Sequence, residues 1–182
     1  SPYGEKVVFD RNRNKERKIS IPKFFPDQCI HWALMQIVEP ILHRRMYEYS
    51  CASIKGRGIH KAKKYINKAV RFDKKNTKWC CQLDIKQFYP SVDHDILKAK
   101  MRKLFKDDDL LWLIDTIIDS HEGLPIGNYT SQWFANFYLS EIDNFIKHDL
   151  KVEYYVRYAD DLLIFGSNKR QVHSDMRKVM ER

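Results

Sequence analysis

Three aspartates in this sequence stand at the ends of apolar, strand-like runs. Asp84 closes the run Gln82-Leu83-Asp84-Ile85, an apolar strand-like stretch that ends on an acid. Asp160 and Asp161 are adjacent, between the apolar runs 152–158 and 162–165, which reads as a hairpin with both carboxylates at its turn. Carboxylates gathered at strand ends repel one another, and the arrangement is costly unless a cation neutralises it. Mg²⁺ suits such a site, because it takes oxygen ligands and divides its coordination between carboxylates and phosphates. Two such ions about 3.5–4 Å apart activate an attacking hydroxyl and stabilise the departing oxygens of an in-line displacement at phosphorus. The bland alternative, a solvated acidic turn, is weakened by the separate strand-end acid Asp84.

The elements that must position these acids follow from hydrophobic spacing. Residues 6–9 and 17–21 read as two strands joined by a mobile basic loop over 10–15, with Pro22 and Pro26 ending that unit. A helix is expected from Asp27, with Ile30, Leu34, Ile37, Val38, Ile41 and Leu42 on its apolar face and a kink or break at Pro40. A second helix spans 59–72, where Ile59, Ala62, Ile66 and Ala69 form the buried stripe and Lys61, Lys64 and Lys68 lie off it. A strand over 78–85 leads to Asp84, and Asp93 caps a helix reaching about Phe105. A helix at 110–118 and a turn-rich loop with Gly123, Pro125 and Gly127 come next. One long helix marked by Phe134, Tyr138, Ile142 and Phe145 then runs to about His148, and a last helix begins near Lys169.

Composition bounds the function classes. A hydrophobic share of 43% supports a folded core and argues against disorder. Thirty-three Lys and Arg against 24 Asp and Glu give a net charge of +9, which favours a polyanionic partner, usually nucleic acid. The basic residues crowd the first 75 positions. No apolar run approaches the roughly 20 residues of a membrane-spanning helix, and no signal-peptide pattern opens the sequence, so a cytoplasmic protein without a membrane partner is expected. Cys29, Cys51, Cys80 and Cys81 show neither C-x-x-C nor zinc spacing, and Cys80 and Cys81 point to opposite faces of a strand, so reduced thiols are expected.

These residues carry a resemblance to a known family. Tyr158-Ala159-Asp160-Asp161 matches the Tyr-x-Asp-Asp signature of reverse transcriptases, and Asp84-Ile85-Lys86-Gln87-Phe88-Tyr89 resembles their first catalytic motif. Leu124-Pro125-Ile126-Gly127-Asn128-Tyr129-Thr130-Ser131-Gln132 is similar to the motif between them. The resemblance implies an α+β fold, the fingers and palm of a right-hand polymerase, with a βαββαβ antiparallel sheet carrying the acids. Fingers are expected over 1–75, with part of 106–130 possible as an addition, and palm over 76–182. The sequence stops one helix past Asp160-Asp161, so thumb and primer grip are expected to be absent from it. The implied chemistry is addition of deoxynucleotides to a primer 3′-hydroxyl on an RNA template. Asp84, Asp160 and Asp161 would hold two Mg²⁺ ions, with the Ile85 carbonyl as an extra ligand and Mn²⁺ as a substitute. Tyr89 falls at the steric-gate position under the sugar. Phe88, Ile126, Gly127, Gln132, Lys6 and Arg17 join it in the nucleotide-binding set, the last two as cations for the triphosphate. Tyr158 and the cluster Lys55, Arg57, Lys61 and Lys64 are the nucleic-acid-binding candidates, with Lys63 beside them. Asp93 is better explained as a helix cap than as a fourth ligand, and the histidines find no partner pattern.

The loop motif narrows the branch. Many reverse transcriptases carry Gln-Gly and then Ser-Pro at this point, where this sequence has Ile126-Gly127 and Ser131-Gln132. That pattern resembles the bacterial diversity-generating retroelements, whose error-prone enzymes act with an accessory protein. An apolar Ile126 in place of a hydrogen-bonding glutamine would loosen discrimination between nucleotides. The segments Arg17-Lys18-Ile19-Ser20-Ile21-Pro22, His31-Trp32-Ala33-Leu34 and 53–61 resemble the fingers shared with group II intron relatives, although Asp27-Gln28 stands where these often have Asp-Arg. A group II intron-type enzyme with maturase function and a palm homologue that binds RNA without polymerising remain as alternatives.

Overall fold

The computed structural model describes residues 3–10 and 15–182. It is a mixed helix and sheet structure with two antiparallel sheets, and the chain divides into two compact units that interleave in sequence. One comprises residues 1–42 and 87–138, the other 43–86 and 139–182.

In the first unit, β1 (Gly4–Asp10) and β2 (Lys15–Ile21) pair antiparallel as expected. The basic loop expected between them lies outside the described residues. A wide helical turn at Phe24–Gln28 leads into α1 (Cys29–Arg45), which starts two residues after the expected beginning at Asp27. Its buried stripe is His31, Leu34, Met35, Val38 and Leu42, whereas Ile30 and Ile37 are exposed, so the apolar face is rotated from the expected one. Pro40 stands inside α1 without ending it. The hydrogen bond that a proline forfeits is outweighed by the buried stripe on either side of it. After a short turn at Tyr89–Ser91 come α3 (His94–Leu104) and α4 (Asp108–Ile118). Asp93 caps α3 by accepting from the Ile96 amide at 3.0 Å, and Asp107 caps α4 in the same way from Leu110 at 2.8 Å. The helix α5 (Tyr129–Tyr138) closes the unit, with Trp133, Phe134 and Phe137 buried.

The second unit holds α2 (Ile59–Phe72), β3 (Trp79–Asp84), α6 (Ser140–Asn144) with a wide turn after it at Phe145–Asp149, β4 (Tyr155–Tyr158), β5 (Asp161–Gly166) and α7 (Lys169–Met180). Its sheet has the order β3-β5-β4, antiparallel throughout. Side-chain alternation gives the sheet two packed faces. Tyr155, Leu162 and Ile164 join Ile146, Val152 and Val179 on one, while Val156 joins Cys51 and Ala62 on the other, with Leu163 packed against them. Along α2, Ala62 and Ala69 are buried as expected, but Ile59 is exposed.

The long helix expected through Phe134 to His148 is a correction. It is interrupted at Leu139, a turn residue (ψ −2°) between the end of α5 and the start of α6, whose carbonyl accepts from the Asp143 amide (3.0 Å). The buried Lys100 ammonium donates to the Tyr138 carbonyl at 2.6 Å, engaging it with a side chain just where α5 ends. All four cysteines are free thiols, as expected; Cys51 is buried, Cys81 half-buried, and Cys29 and Cys80 exposed. Among the described residues no helix is long and apolar enough to cross a membrane.

Candidate active site

Strand pairing gathers the acids. Asp84 ends β3 directly opposite Asp161, the first residue of β5, and Tyr158 at the end of β4 is opposite Asp161 on its other side. Directly opposed residues share a face, so Asp84, Asp161 and Tyr158 project from one side of the sheet. Asp160 is the second residue of the two-residue turn that joins β4 to β5. One carboxylate oxygen from each of Asp84, Asp160 and Asp161 lies within 4.8 Å of the others. Asp84 is exposed and its two companions half-buried, so the cluster opens to solvent. A main-chain bond from the Ile85 amide to the Asp160 carbonyl (3.2 Å) ties the turn to the end of β3. Gln82 donates its Nε2 to Asp161 Oδ1 at 3.3 Å. The Ile85 side chain packs against the core beneath. An all-oxygen donor set of three like charges fits a hard divalent cation.

Behind the turn lies a buried polar network that nothing in the sequence reading anticipated. Arg157 and Asp143 are both fully buried. Arg157 donates from Nε to Asp143 Oδ1 (2.8 Å), from Nη2 to Asp143 Oδ2 (2.6 Å), and from Nη1 to the Ala159 carbonyl (3.1 Å). The Tyr155 hydroxyl donates to Asp143 Oδ1 at 2.7 Å. Burial opposes the guanidinium charge, but Asp143 outweighs it and holds the Arg157 pKa above its ordinary value. Burial, then the Asp143 charge, pushes the Tyr155 phenol well up. In sequence Arg157 is one basic residue in an apolar run and Asp143 one acid on a helix; their only signal was a charge at a strand position whose neighbours are buried.

The remaining sequence-derived residues fall into two groups. In the first unit, Lys6 pairs with Ile19 and Arg17 with Val8, which puts Lys6 and Arg17 on one face of the hairpin as diagonal neighbours. Phe88 is buried with its ring 5.6 Å from that of the half-buried Tyr89, edge on. The Tyr89 carbonyl accepts from the Leu124 amide (2.8 Å), and the Ile126 carbonyl from the Ser20 amide (2.8 Å). Gly127, at φ 116°, lies where a Cβ would come within 2.6 Å of Ile19 Cγ2 and 2.9 Å of the Ser20 carbonyl. Ile126 and Gln132 are half-buried. His94, given no chemistry from sequence, sets Nε2 3.0 Å from the Gly123 carbonyl and Nδ1 3.3 Å from Asp119, bracing the same loop. In the second unit Lys55 and Lys64 are exposed. Arg57 donates Nη1 to the carbonyls of Tyr47 (2.5 Å) and Ser50 (3.2 Å), and Lys61 pairs with Glu48 at 3.4 Å while its ammonium sits 5.4 Å from the centre of the Tyr49 ring.

A family model for reverse transcriptase (RNA-dependent DNA polymerase) matches residues 8–182. The chain belongs to this family. Among curated relatives, this reverse transcriptase chain is 24% identical over 192 residues to the group II intron-encoded protein LtrA of Lactococcus lactis subsp. cremoris, covering 100% of the chain and 31% of LtrA. It is 25% identical over 163 residues to an uncharacterized 91 kDa protein in a cob intron of Schizosaccharomyces pombe, covering 83% of the chain and 19% of that protein. The chain thus spans less than a third of either relative. Among solved structures, apo telomerase from Candida tropicalis, truncated from its C-terminal domain, superposes with a TM-score of 0.67 at 13% identity, over 100% of this chain and 47% of that one. Telomerase from Candida albicans with a fragment of telomeric RNA gives 0.65 at 13% identity, over 99% and 40%. These structural likenesses are likenesses of fold.

Proposed function

We propose that this chain carries the polymerising centre of an RNA-directed DNA polymerase, with Asp84, Asp160 and Asp161 as the ligands of two divalent ions. The observation that carries the reading is the set of three carboxylates within 4.8 Å of one another in a chain of the reverse transcriptase family. Mg²⁺, or Mn²⁺ in its place, would activate the primer 3′-hydroxyl and neutralise charge on the leaving pyrophosphate. The protein's part is to hold the acids on paired strand ends, with the Ile85 carbonyl as a further donor, and to align template, primer and deoxynucleoside triphosphate. In this reading Tyr89 lies under the sugar and rejects a 2′-hydroxyl. Phe88, Ile126, Gly127 and Gln132 contact the nucleotide, and Lys6 and Arg17 take its phosphates. Tyr158, Lys55, Arg57, Lys61 and Lys64 contact template or primer. Residues 1–75 then act as fingers and 76–182 as a βαββαβ-type palm, in a cytoplasmic enzyme.

The finer reading is an error-prone enzyme of a diversity-generating retroelement, working with an accessory protein. It rests on Ile126-Gly127 and Ser131-Gln132. A group II intron-type enzyme is the second reading, favoured by the likeness to LtrA. A palm homologue that only binds RNA has no use for three acids gathered beside a phosphate backbone.

One experiment addresses both levels. Primer extension by the full-length protein on an RNA template, with deoxynucleotides and Mg²⁺ or Mn²⁺, should fall to background in an Asp160→Ala, Asp161→Ala variant and on chelation of the metal. Undiminished extension by that variant would sink the assignment of the acids. Sequencing the products of an Ile126→Gln variant should show fewer errors opposite adenine. An unchanged error spectrum rejects the role given to Ile126, and products of the unaltered enzyme without errors directed at adenine favour the intron-type enzyme.

A further inference from the structure

We infer that Arg157 is a positioning residue for the acid-bearing turn: it fixes the Ala159 carbonyl and so sets the backbone from which Asp160 and Asp161 reach a shared cation. The inference rests on the reading of the aspartates as metal ligands. Three observations carry it. The first is connectivity. The guanidinium spans from both oxygens of Asp143 on α6 to the carbonyl in the middle of the turn, with all three contacts between 2.6 and 3.1 Å. The second is anchoring. The backbone of Arg157 is itself held on the open edge of β4, its amide donating to the Tyr49 carbonyl (3.0 Å) and its carbonyl accepting from Cys51 (2.8 Å). The guanidinium therefore has no freedom to follow a shifting turn. The third is strain. Ala159 has φ 54°, a conformation that an L-residue with a Cβ avoids and that persists only where neighbours over-determine it. The bond from Arg157 Nη1 is a neighbour of that kind.

Stability alone does not explain the network. A buried ion pair is matched or bettered by apolar side chains of similar volume, because both charges must be stripped of water. What the pair adds is direction, since the planar fork of an arginine fixes several acceptors in one geometry. Residues that orient the ligands of a metal, without touching it, alter its affinity about 10- to 100-fold when replaced.

The test uses the full-length protein and reads Mn²⁺ binding directly, by the loss of the free-ion electron paramagnetic resonance signal on titration, beside thermal unfolding. A variant with Asp143→Leu, Tyr155→Phe and Arg157→Met together removes the network but fills its space, and it is expected to fold. Its Mn²⁺ affinity should fall about tenfold or more, and the Mn²⁺ concentration for half-maximal primer extension should rise in step. A folded variant that binds Mn²⁺ as the unaltered protein does overturns the inference. Should this variant not fold, Arg157→Lys decides by the same titration: it keeps the charge against Asp143 and loses the fork, so weakened binding supports positioning and unaltered binding overturns it. Asp161→Asn separates the two layers. If that variant keeps full Mn²⁺ binding, the metal reading of the aspartates fails. If it loses binding while the network variant retains it, only the role of Arg157 fails.

Discussion

At the scale of single residues, the turn that carries Asp160 and Asp161 concentrates unfavourable terms. Like charges face one another across paired strands, and the residue before them is held in the left-handed region without being a glycine. A two-residue hairpin needs positive φ in its turn, and the usual answer is glycine or asparagine. Alanine answers it here at a cost of about 1–2 kcal/mol. Replacing Ala159 with glycine should relieve that strain and offset the added chain entropy of glycine. The expected result is a change in unfolding free energy of less than about 1 kcal/mol, of either sign, in denaturant titration. Ala159→Val, with a branched Cβ at φ 54°, should cost about 1–3 kcal/mol. Equal stabilities for the two variants would mean that the turn carries no strain.

At the scale of elements, the decisive feature of the first unit is the loop from Gly123 to Gly127 and what it rests on. Gly123, at φ 61°, lies where a Cβ would come within 2.6 Å of the carbonyl oxygens of both Tyr89 and Pro90. Two backbone atoms cannot move aside as a side chain would, so only glycine fits. The close approach brings the Leu124 amide onto the Tyr89 carbonyl. A Gly123→Ala substitution is expected to cost about 1–3 kcal/mol of stability, and to alter selection between deoxy- and ribonucleotides in primer extension, because it displaces the segment bearing Tyr89. Stability lost with sugar selection unchanged would detach the loop from Tyr89's proposed role. Lys100 acts on the same scale: one buried ammonium on α3 satisfies the Tyr138 carbonyl at the end of α5.

At the scale of the whole molecule, the excess of positive charge is a statement about partners rather than about fold. If the lysines and arginines neutralise RNA phosphates, binding releases counterions. The logarithm of the association constant for single-stranded RNA should then fall linearly with the logarithm of salt concentration, by about 0.7 per phosphate contact. Fluorescence anisotropy across a KCl series reads that slope, and a slope near zero would exclude a charge-driven interface. Substituting Lys55 and Lys64, both exposed, should reduce the slope. Arg57, which also donates to two main-chain carbonyls, should lower stability as well as the slope when replaced.

Much of this was legible from the residues. The strands, the α2 boundaries, the Asp93 cap and the acid-bearing hairpin follow from local rules of periodicity, capping and turn chemistry, which act over a few positions of chain. The chain by itself also determined the family, because three motifs in fixed order carry its chemistry. What only the tertiary structure decided depends on partners distant in sequence. The rotated face of α1, the Lys100 bond to the Tyr138 carbonyl, the Arg157–Asp143 pair and the docking of Gly123 on Tyr89 and Pro90 each turn on which atom arrives from elsewhere. Burial reverses the meaning of a charged residue or a glycine, and burial is set by packing that no local pattern records. The three aspartates belong to both accounts: their types and order were in the sequence, and their common site exists only because β3 and β5 pair in register.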